Sequence, residues 1–390
     1  MKLALWLSLF IVFYAFFGYG ILLFVLVKIK RLIKGTPQKP VVDLAELPTC
    51  TMIVAAYNEE DFIAQKIENT LQLNYPEGKL QLYFVTDGST DRTAEIIAHY
   101  PQITLFHKDG RSGKLAAVHR IMPSVTTEVV VFTDANTFLN ADALLNICRH
   151  YSNPKVGAVA GEKRVHADEA ADATAGEGFY WKYESKLKTW DSELGTVVGA
   201  AGELFSIRTN LYREVPPNSI IEDFMISLLV AADGYKVAYE PEAYATETGS
   251  ESVGEELKRK IRIAAGGIQS IIWLKKLLNP FYMPLLTFQY VSHRVLRWTV
   301  VPFLMILAFI LNMVIVASGY STWLYELLLL GQVMFYAMAL LGWLLARKEI
   351  KVKILFIPYY FCMMNYAVIR GIFRYISGTQ SAVWEKAKRK

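Results

Sequence analysis

The sequence predicts an α/β domain joined to helical segments of membrane length, and three observations predict it. Strand-length apolar runs alternate with helix-period segments between residues 51 and 132. Three acidic clusters stand where such a sheet presents its strand ends: Val85-Thr86-Asp87-Gly88-Ser89-Thr90-Asp91, Val131-Phe132-Thr133-Asp134-Ala135-Asn136-Thr137 and Ile220-Ile221-Glu222-Asp223-Phe224. Long apolar runs flank this part in a chain of 390 residues, which leaves room for one ordinary soluble domain and a second, apolar portion.

Leu3 to Val27 is an almost unbroken apolar run. At about 25 residues and 1.5 Å per residue it spans a bilayer core of roughly 30 Å. A cleaved signal peptide is the competing reading, opposed by the length of the run and by the lack of a small-x-small cleavage site behind it. Lys28, Lys30, Arg31 and Lys34 follow directly, so segment 1–35 is expected to cross with its amino terminus outside. Thr299 to Ala317 and Trp323 to Ala346, parted by a short polar turn, read as a spanning hairpin over 299–346. In 255–298 apolar residues mix with Lys258, Arg259, Arg262, Lys275, Lys276, Arg294 and Arg297, which predicts amphipathic helices on the inner membrane surface, interrupted at Pro280 and Pro284. Ile354 to Ile369 contains Pro358, and a crossing there would place Lys386, Lys388, Arg389 and Lys390 outside. Segment 354–390 is therefore expected to be an interfacial or re-entrant helix and a basic cytosolic tail. These expectations give a multi-pass protein of the cytoplasmic membrane with residues 48–254 in the cytosol.

Cys50, Cys148 and Cys362 form no CxxC pair, so neither a disulfide framework nor a zinc site is indicated. The net charge of +5 lies largely beside the apolar segments, which points to topology and a lipid bilayer as partner rather than to nucleic acid.

In the soluble part, Thr51 to Ala56, Leu80 to Val85, Ile103 to Phe106 and Val129 to Phe132 read as strands. Asn58 to Leu73, with Ile63, Ile67 and Leu71 on one face, Thr90 to His99, and Leu115 to Met122 read as helices. This β-α-β order predicts a mostly parallel sheet with its ligand site at the carboxyl ends of the strands.

The site chemistry follows from those ends. Asp91 is either a helix-capping charge or a ligand contact. Asp87 precedes the turn glycine at a strand end, where a carboxylate suits the N–H donors of a nucleobase. Asp134 sits just beyond an apolar strand; an ionised group there is costly unless a cation or donor meets it, which favours a divalent metal carrying a diphosphate. Asn136 offers a second, neutral oxygen, and hard oxygen ligands suit Mg2+ or Mn2+ rather than zinc. Glu222-Asp223 opens a helix after a Pro-Pro break. Alone the pair reads as a cap; beside a metal-diphosphate site, a carboxylate there is what a hydroxyl nucleophile needs as general base.

The ordered set Val54 to Glu60, Thr86 to Asp91, Gly110-Arg111-Ser112-Gly113-Lys114, Asp134-Ala135-Asn136, Gly199 to Arg208, Glu222-Asp223 and Arg259-x-x-Arg262 resembles the membrane-bound family 2 glycosyltransferases, which include the cellulose, hyaluronan, chitin and poly-N-acetylglucosamine synthases. The resemblance runs from about residue 48 to 300 and implies a GT-A domain, a Rossmann-like mixed sheet that binds a nucleotide-sugar. It implies transfer from that donor, most often a UDP-sugar, with inversion, to a growing polysaccharide. By it Tyr57, Glu59 and Asp87 contact the nucleoside, Lys114 lies near it, Asp134 binds the metal-diphosphate, Asp223 is the base and Arg262, with Arg259 beside it, meets the departing diphosphate.

Two positions depart from the family pattern. Asn136 stands where the metal motif Asp-x-Asp has its second carboxylate. Arg259-Lys260-Ile261-Arg262-Ile263 replaces Gln-x-x-Arg-Trp, so the ring expected to stack on an acceptor sugar is Ile263 here. That departure supports the alternative of single-sugar transfer to a membrane lipid; a third reading is a non-catalytic scaffold, opposed by the joint presence of Asp87, Asp134, Asp223 and Arg262. Tyr180, Trp181, Tyr183 and Glu184 are candidates for acceptor contact or an amphipathic helix packed on the sheet. Gly199 to Gly202 is either a close approach to ligand, which makes Gly202 an acceptor-side candidate, or tight packing. Gln380, Trp384, Lys386 and Arg389 form a synthase-like ending or a membrane-surface anchor. The donor sugar, the acceptor, export or assembly partners and a homo-oligomer stay open.

Overall fold

The computed structural model describes residues 1–166, 174–248, 252–319, 321–348, 350 and 352–379. The chain divides into two compact units: Met1–Leu26 with Ala167–Leu187 and Ser250–Gln380, and Val27–His166 with Lys188–Gly249.

The second unit is built on one eight-stranded mixed sheet. Its strands are β1 (Cys50–Ala56), β2 (Leu80–Asp87), β3 (Thr104–Lys108), β4 (Val129–Asp134), β5 (Phe138–Leu139), β6 (Val156–His166), β7 (Leu204–Arg208) and β8 (Lys236–Thr248), in the order β3-β2-β1-β4-β7-β6-β8-β5. The first four are mutually parallel, as the β-α-β order predicts. Both faces of this half are covered, so β4 is buried from Val129 through Thr133 and reads as a continuous apolar run rather than an alternating one. Met52, Val54, Phe84, Val129 and Val131 share its core with Ile63 and Ile67 of the helix Ile63–Leu71. Each such side chain contributes roughly 1.5–3 kcal/mol on burial.

The other half is mixed but leaves the sheet mostly parallel, as expected: β6 and β8 pair in parallel, and two strands run against the rest. β7 runs antiparallel to both β4 and β6, and β5 antiparallel to β8. Because Leu204 pairs with Thr133, the chain enters β7 at the carboxyl end of β4 and delivers Gly202-Glu203 to the same edge as Asp134. The first helix is also shorter than its periodicity suggests. It starts at Ile63, since the backbone N–H groups of Asn58, Glu59 and Glu60 donate instead to Ser89 Oγ, Thr93 Oγ1 and Asp91 Oδ2. Its buried face is Ile63, Lys66, Ile67 and Thr70, while Leu71 is exposed.

The first unit is helical. The N-terminal helix, Lys2–Phe13 continued through a π turn at Tyr14–Gly18 into Tyr19–Lys34, packs Leu5 with Ala308, Ile315 and Tyr325. Among the described residues two helices, Lys2–Lys34 and Trp323–Ala346, are long and apolar enough to cross a membrane, or three if Pro284–Trp298 and Val301–Ala317, bent by 59°, form one span. The helix Val253–Trp273 begins at a Ser252 cap, whose Oγ accepts from Glu255 N–H at 3.2 Å. It lies against Lys353–Ile376, a 24-residue helix that includes Pro358. Small residues permit that approach: a Cβ on Gly371 would fall 2.6 Å from the Ala264 Cβ. The basic tail with Gln380, Trp384, Lys386 and Arg389 lies outside the described residues.

Candidate active site

β1 ends between its two parallel neighbours, with Ala56 in register with Thr86 of β2 and Ala55 with Asp134 of β4. Asp87 and Asp134 therefore flank the exit of β1 at a point where the strand order reverses, the crevice in which open α/β sheets bind ligands. Tyr57, Glu59, Asp87, Lys114, Asp134 and Asn136 line one cleft there.

Loop chemistry fixes each side of the cleft. Asn58 takes a left-handed conformation (φ +53°) and its Oδ1 accepts from Thr90 N–H at 2.8 Å, which latches the end of β1 to the Asp-Gly-Ser-Thr turn. Gly88 has φ +70°, and a Cβ there would meet the Arg111 backbone nitrogen at 2.7 Å, so only glycine fits. Asp91 is spent within the turn before the helix Thr93–Ala98: its carboxylate accepts from Thr93 N–H (3.0 Å), Thr93 Oγ1 (2.5 Å) and Glu60 N–H (3.1 Å). Partial burial works against its charge, yet these bonds hold it below the usual range.

Asp87 is more engaged than a strand-end carboxylate reaching for a base. It is buried, and Oδ2 accepts from the backbone N–H groups of Ser112 (2.6 Å) and Gly113 (2.5 Å), which shapes the Gly-Arg-Ser-Gly loop. Oδ1 is buried with no hydrogen-bond partner among the described residues, with Arg120 Nη1 at 3.8 Å. Half of this carboxylate thus builds the site and half is left to accept a donor. The Arg111 guanidinium lies over the Tyr57 ring, 3.9 Å from its centroid, which makes a flat cationic and aromatic wall.

Lys114 opens the helix Lys114–Ile121 behind Gly113 and joins the two acidic clusters. Its Nζ donates to Asp134 Oδ1 at 2.6 Å and lies 3.2 Å from Glu222 Oε1. Burial opposes its charge, but Asp134, Glu222 and Asp223 outweigh burial and hold its pKa above the ordinary value. Asp223 sits in the first turn of the helix Glu222–Ala232. Burial first, and Glu222 beside it second, push its carboxyl up to about 7, with Lys114 pulling the other way. A Cβ on Gly202 would stand 3.4 Å from Asp223 Oδ2 and 3.6 Å from Lys114 Nζ, so this glycine borders both side chains.

For a divalent cation the Asp134-Ala135-Asn136 turn offers a carboxylate and an amide oxygen on the cleft wall, and no group of three or more His, Cys, Asp or Glu able to hold a metal occurs among the described residues. This donor set does not make a closed protein cage. It fits a hard cation that brings most of its oxygens with a diphosphate, which is the usual way magnesium is held.

Residues missed in the sequence complete the surroundings. Lys163 is buried and pairs with Glu203 at 2.5 Å and with Glu247, and Glu203 raises the Asp223 pKa further. Lys66 lies beneath Asp134; burial pushes its ammonium down to about 7 while Asp134 pulls it up. The available signal for Lys66 was a lysine inside the apolar stripe Ile63-Ile67-Thr70.

Six predicted residues belong to the other unit. Arg259 and Arg262 lie on Val253–Trp273, with Arg259 paired to Glu256 at 3.0 Å. Trp181 is half-buried, with the Lys260 ammonium 5.4 Å from its ring. Glu184 is not an open acceptor contact: it is buried, with Arg297 at 2.5 Å, His293 at 3.1 Å and Arg294 at 3.6 Å. Tyr183 donates to the Phe16 carbonyl at 2.7 Å, and the side chain of Tyr180 lies outside the described residues.

A GT-A-like mixed sheet with an acidic, lysine-bridged cleft is what this structure defines. The comparisons agree. Residues 51–215 match the model of glycosyl transferase family 2, so this part of the chain carries a domain of that family. It is 31% identical over 167 residues, 40% of this chain and 34% of the relative, to a beta-monoglucosyldiacylglycerol synthase of Nostoc sp. strain PCC 7120. It is 26% identical over 242 residues, 60% of this chain and 58% of the relative, to a poly-beta-1,6-N-acetyl-D-glucosamine synthase of Staphylococcus aureus. The chain thus spans about a third to somewhat over half of these relatives. A mannosyltransferase from Pyrobaculum calidifontis, solved with GDP-Man and Mn2+, shares the fold at a TM-score of 0.71 and 23% identity, over 97% of this chain and all of that one.

Proposed function

We propose that this protein is an inverting hexosyltransferase that moves a sugar from a nucleotide-sugar to a hydroxyl acceptor held at the cytoplasmic face of a membrane, forming a β-glycosidic bond. The observation that carries it is Lys114 bridging Asp134 and Glu222, with the raised carboxylate of Asp223 and Gly202 beside it.

In this reading the nucleoside rests on the Tyr57–Arg111 wall and gives a base N–H to Asp87 Oδ1. Uracil and guanine both carry such donors, so a UDP-sugar remains the expected donor and a GDP-sugar belongs in the test. Asp223 takes the acceptor proton, the hydroxyl oxygen attacks the anomeric carbon, and the bond to the diphosphate breaks with its electron pair leaving on oxygen. Lys114 meets the developing charge as a preorganised cation. A divalent cation, Mg2+ or Mn2+, would be held by Asp134 with Asn136 and would neutralise the diphosphate. The part that the resemblance gives Arg262, steadying the departing diphosphate, belongs to the same proposal.

Two acceptors fit. A growing polysaccharide is supported by the likeness to the Staphylococcus synthase, which covers more of the chain. A lipid is supported by Ile263, which removes the stacking ring a processive enzyme uses to hold its product, and by the likeness to the Nostoc enzyme. The test is release of UDP or GDP by the detergent-purified protein with Mn2+, a panel of nucleotide-sugars and membrane lipids, followed by sizing of the product. A long polymer assigns the first acceptor and a one-sugar glycolipid the second. No release from any donor overturns the reading.

A further inference from the structure

Lys66 carries a feature the mechanism above does not use. Its side chain is fully buried, and no carboxylate lies within ion-pair distance among the described residues. Its ammonium donates instead to the Thr137 carbonyl at 2.7 Å and to Thr133 Oγ1 at 3.4 Å. Burying an ammonium among neutral partners is costly, and an apolar side chain of the same length would fill the space at less cost. Stability alone therefore does not explain a lysine here.

The partners say what it holds. Thr133 and Thr137 bracket the Asp134-Ala135-Asn136 turn, and their hydroxyls bond each other at 3.0 Å. Thr137 Oγ1 donates to the Asp134 carbonyl at 3.0 Å, which closes the turn on itself. Thr133 Oγ1 also reaches the Glu203 carbonyl at 2.9 Å, so one hydroxyl joins this turn to the segment that carries Gly202. Resting on the reading of the site given above, we propose that Lys66 is a positioning residue for the diphosphate end of that site. Through Thr133 and Thr137 it fixes the turn that presents Asp134 and Asn136 together, and ties that turn to the acceptor-side Gly202-Glu203 segment.

The test is Lys66→Met in the full-length, detergent-purified protein, followed by melting, by calorimetric binding of UDP and GDP with and without Mn2+, and by steady-state kinetics. The expected variant melts no lower than the unaltered protein. It loses about tenfold of the Mn2+-dependent gain in nucleoside diphosphate affinity and loses kcat, while metal-free nucleotide binding is unchanged, since Tyr57 and Asp87 are untouched. A folded variant whose metal-dependent binding and kcat match the unaltered protein overturns the proposal. So does an equal loss of metal-free binding, which marks a merely structural role. If Lys66→Met does not fold, Thr133→Val, which keeps the lysine and removes the junction, carries the test with the same expected signs and the same overturning results. Absence of nucleotide binding in the unaltered protein would instead sink the reading of the site, and is read separately.

Discussion

The Lys114 ammonium lies 2.6 Å from the Asp134 carboxylate, which makes one cation the link between a strand end of the parallel half-sheet and the acidic start of the helix Glu222–Ala232. Removing it leaves Asp134, Glu222 and Asp223 facing one another without a counter-charge. Lys114→Met is expected to lower kcat/KM by about 10²–10³, the scale of one lost transition-state donor. Calorimetry should show weaker nucleoside diphosphate binding as well. Unchanged kinetics would remove Lys114 from the chemistry.

As the proposed base, Asp223 carries the pH prediction. A general base acts when deprotonated, and burial with Glu222 raises this carboxyl to about 7. Activity should rise with pH through that value and reach a plateau above it. In Lys114→Met the limb should move to higher pH, because the charge that pulled the pKa down is gone. Asp223→Asn is expected to cut turnover by at least about 10² with nucleotide affinity retained. A flat profile between pH 5 and 9, measured in the presence of saturating donor, would place the base elsewhere.

Gly202 tests the acceptor side. A methyl group there makes ordinary contacts at 3.4 Å with Asp223 and 3.6 Å with Lys114, so Gly202→Ala should fold and retain donor affinity. Its acceptor KM should rise. Gly202→Leu is expected to block transfer while nucleotide binding survives; equal losses in donor and acceptor KM would contradict this placement.

Glu184 predicts a stability effect without a chemical one. It pairs with Arg297 and Arg294 and lies 3.1 Å from His293 Nε2 in a buried cluster, and breaking such a cluster by removing one charge costs about 3–5 kcal/mol. Glu184→Gln should therefore melt well below the unaltered protein in detergent. Nucleotide binding at low temperature should be unaffected. A melting point unchanged by the substitution would show the pairs to be energetically idle.

Much of the parallel half was legible because parallel strands are buried on both faces, so β1, β2 and β4 are written as short apolar runs with a carboxylate at the end of β2 and of β4. The other half was not, since β7 is five residues long and runs antiparallel to partners that lie far away in the chain. Its antiparallel entry decides where Gly202 stands. Glu184 read as amphipathic or acceptor-facing because a sequence shows a charge but not the two arginines and the histidine that meet it. Lys66 was invisible for a related reason: one lysine in a helical stripe is ordinarily a stem reaching solvent, and only packing shows that this one does not.

The sequence by itself determined the elements and the chemical inventory: which runs are apolar enough for strands or spans, and which acidic and basic residues close them, because periodicity and residue type are local properties. Only the tertiary structure decided how that inventory is wired. That Asp87 is half consumed by the Ser112–Gly113 backbone, that Lys114 serves Asp134 and Glu222 together, and that Asp223 is raised toward neutrality are all consequences of burial and of distances between residues up to about a hundred positions apart, which no local pattern encodes.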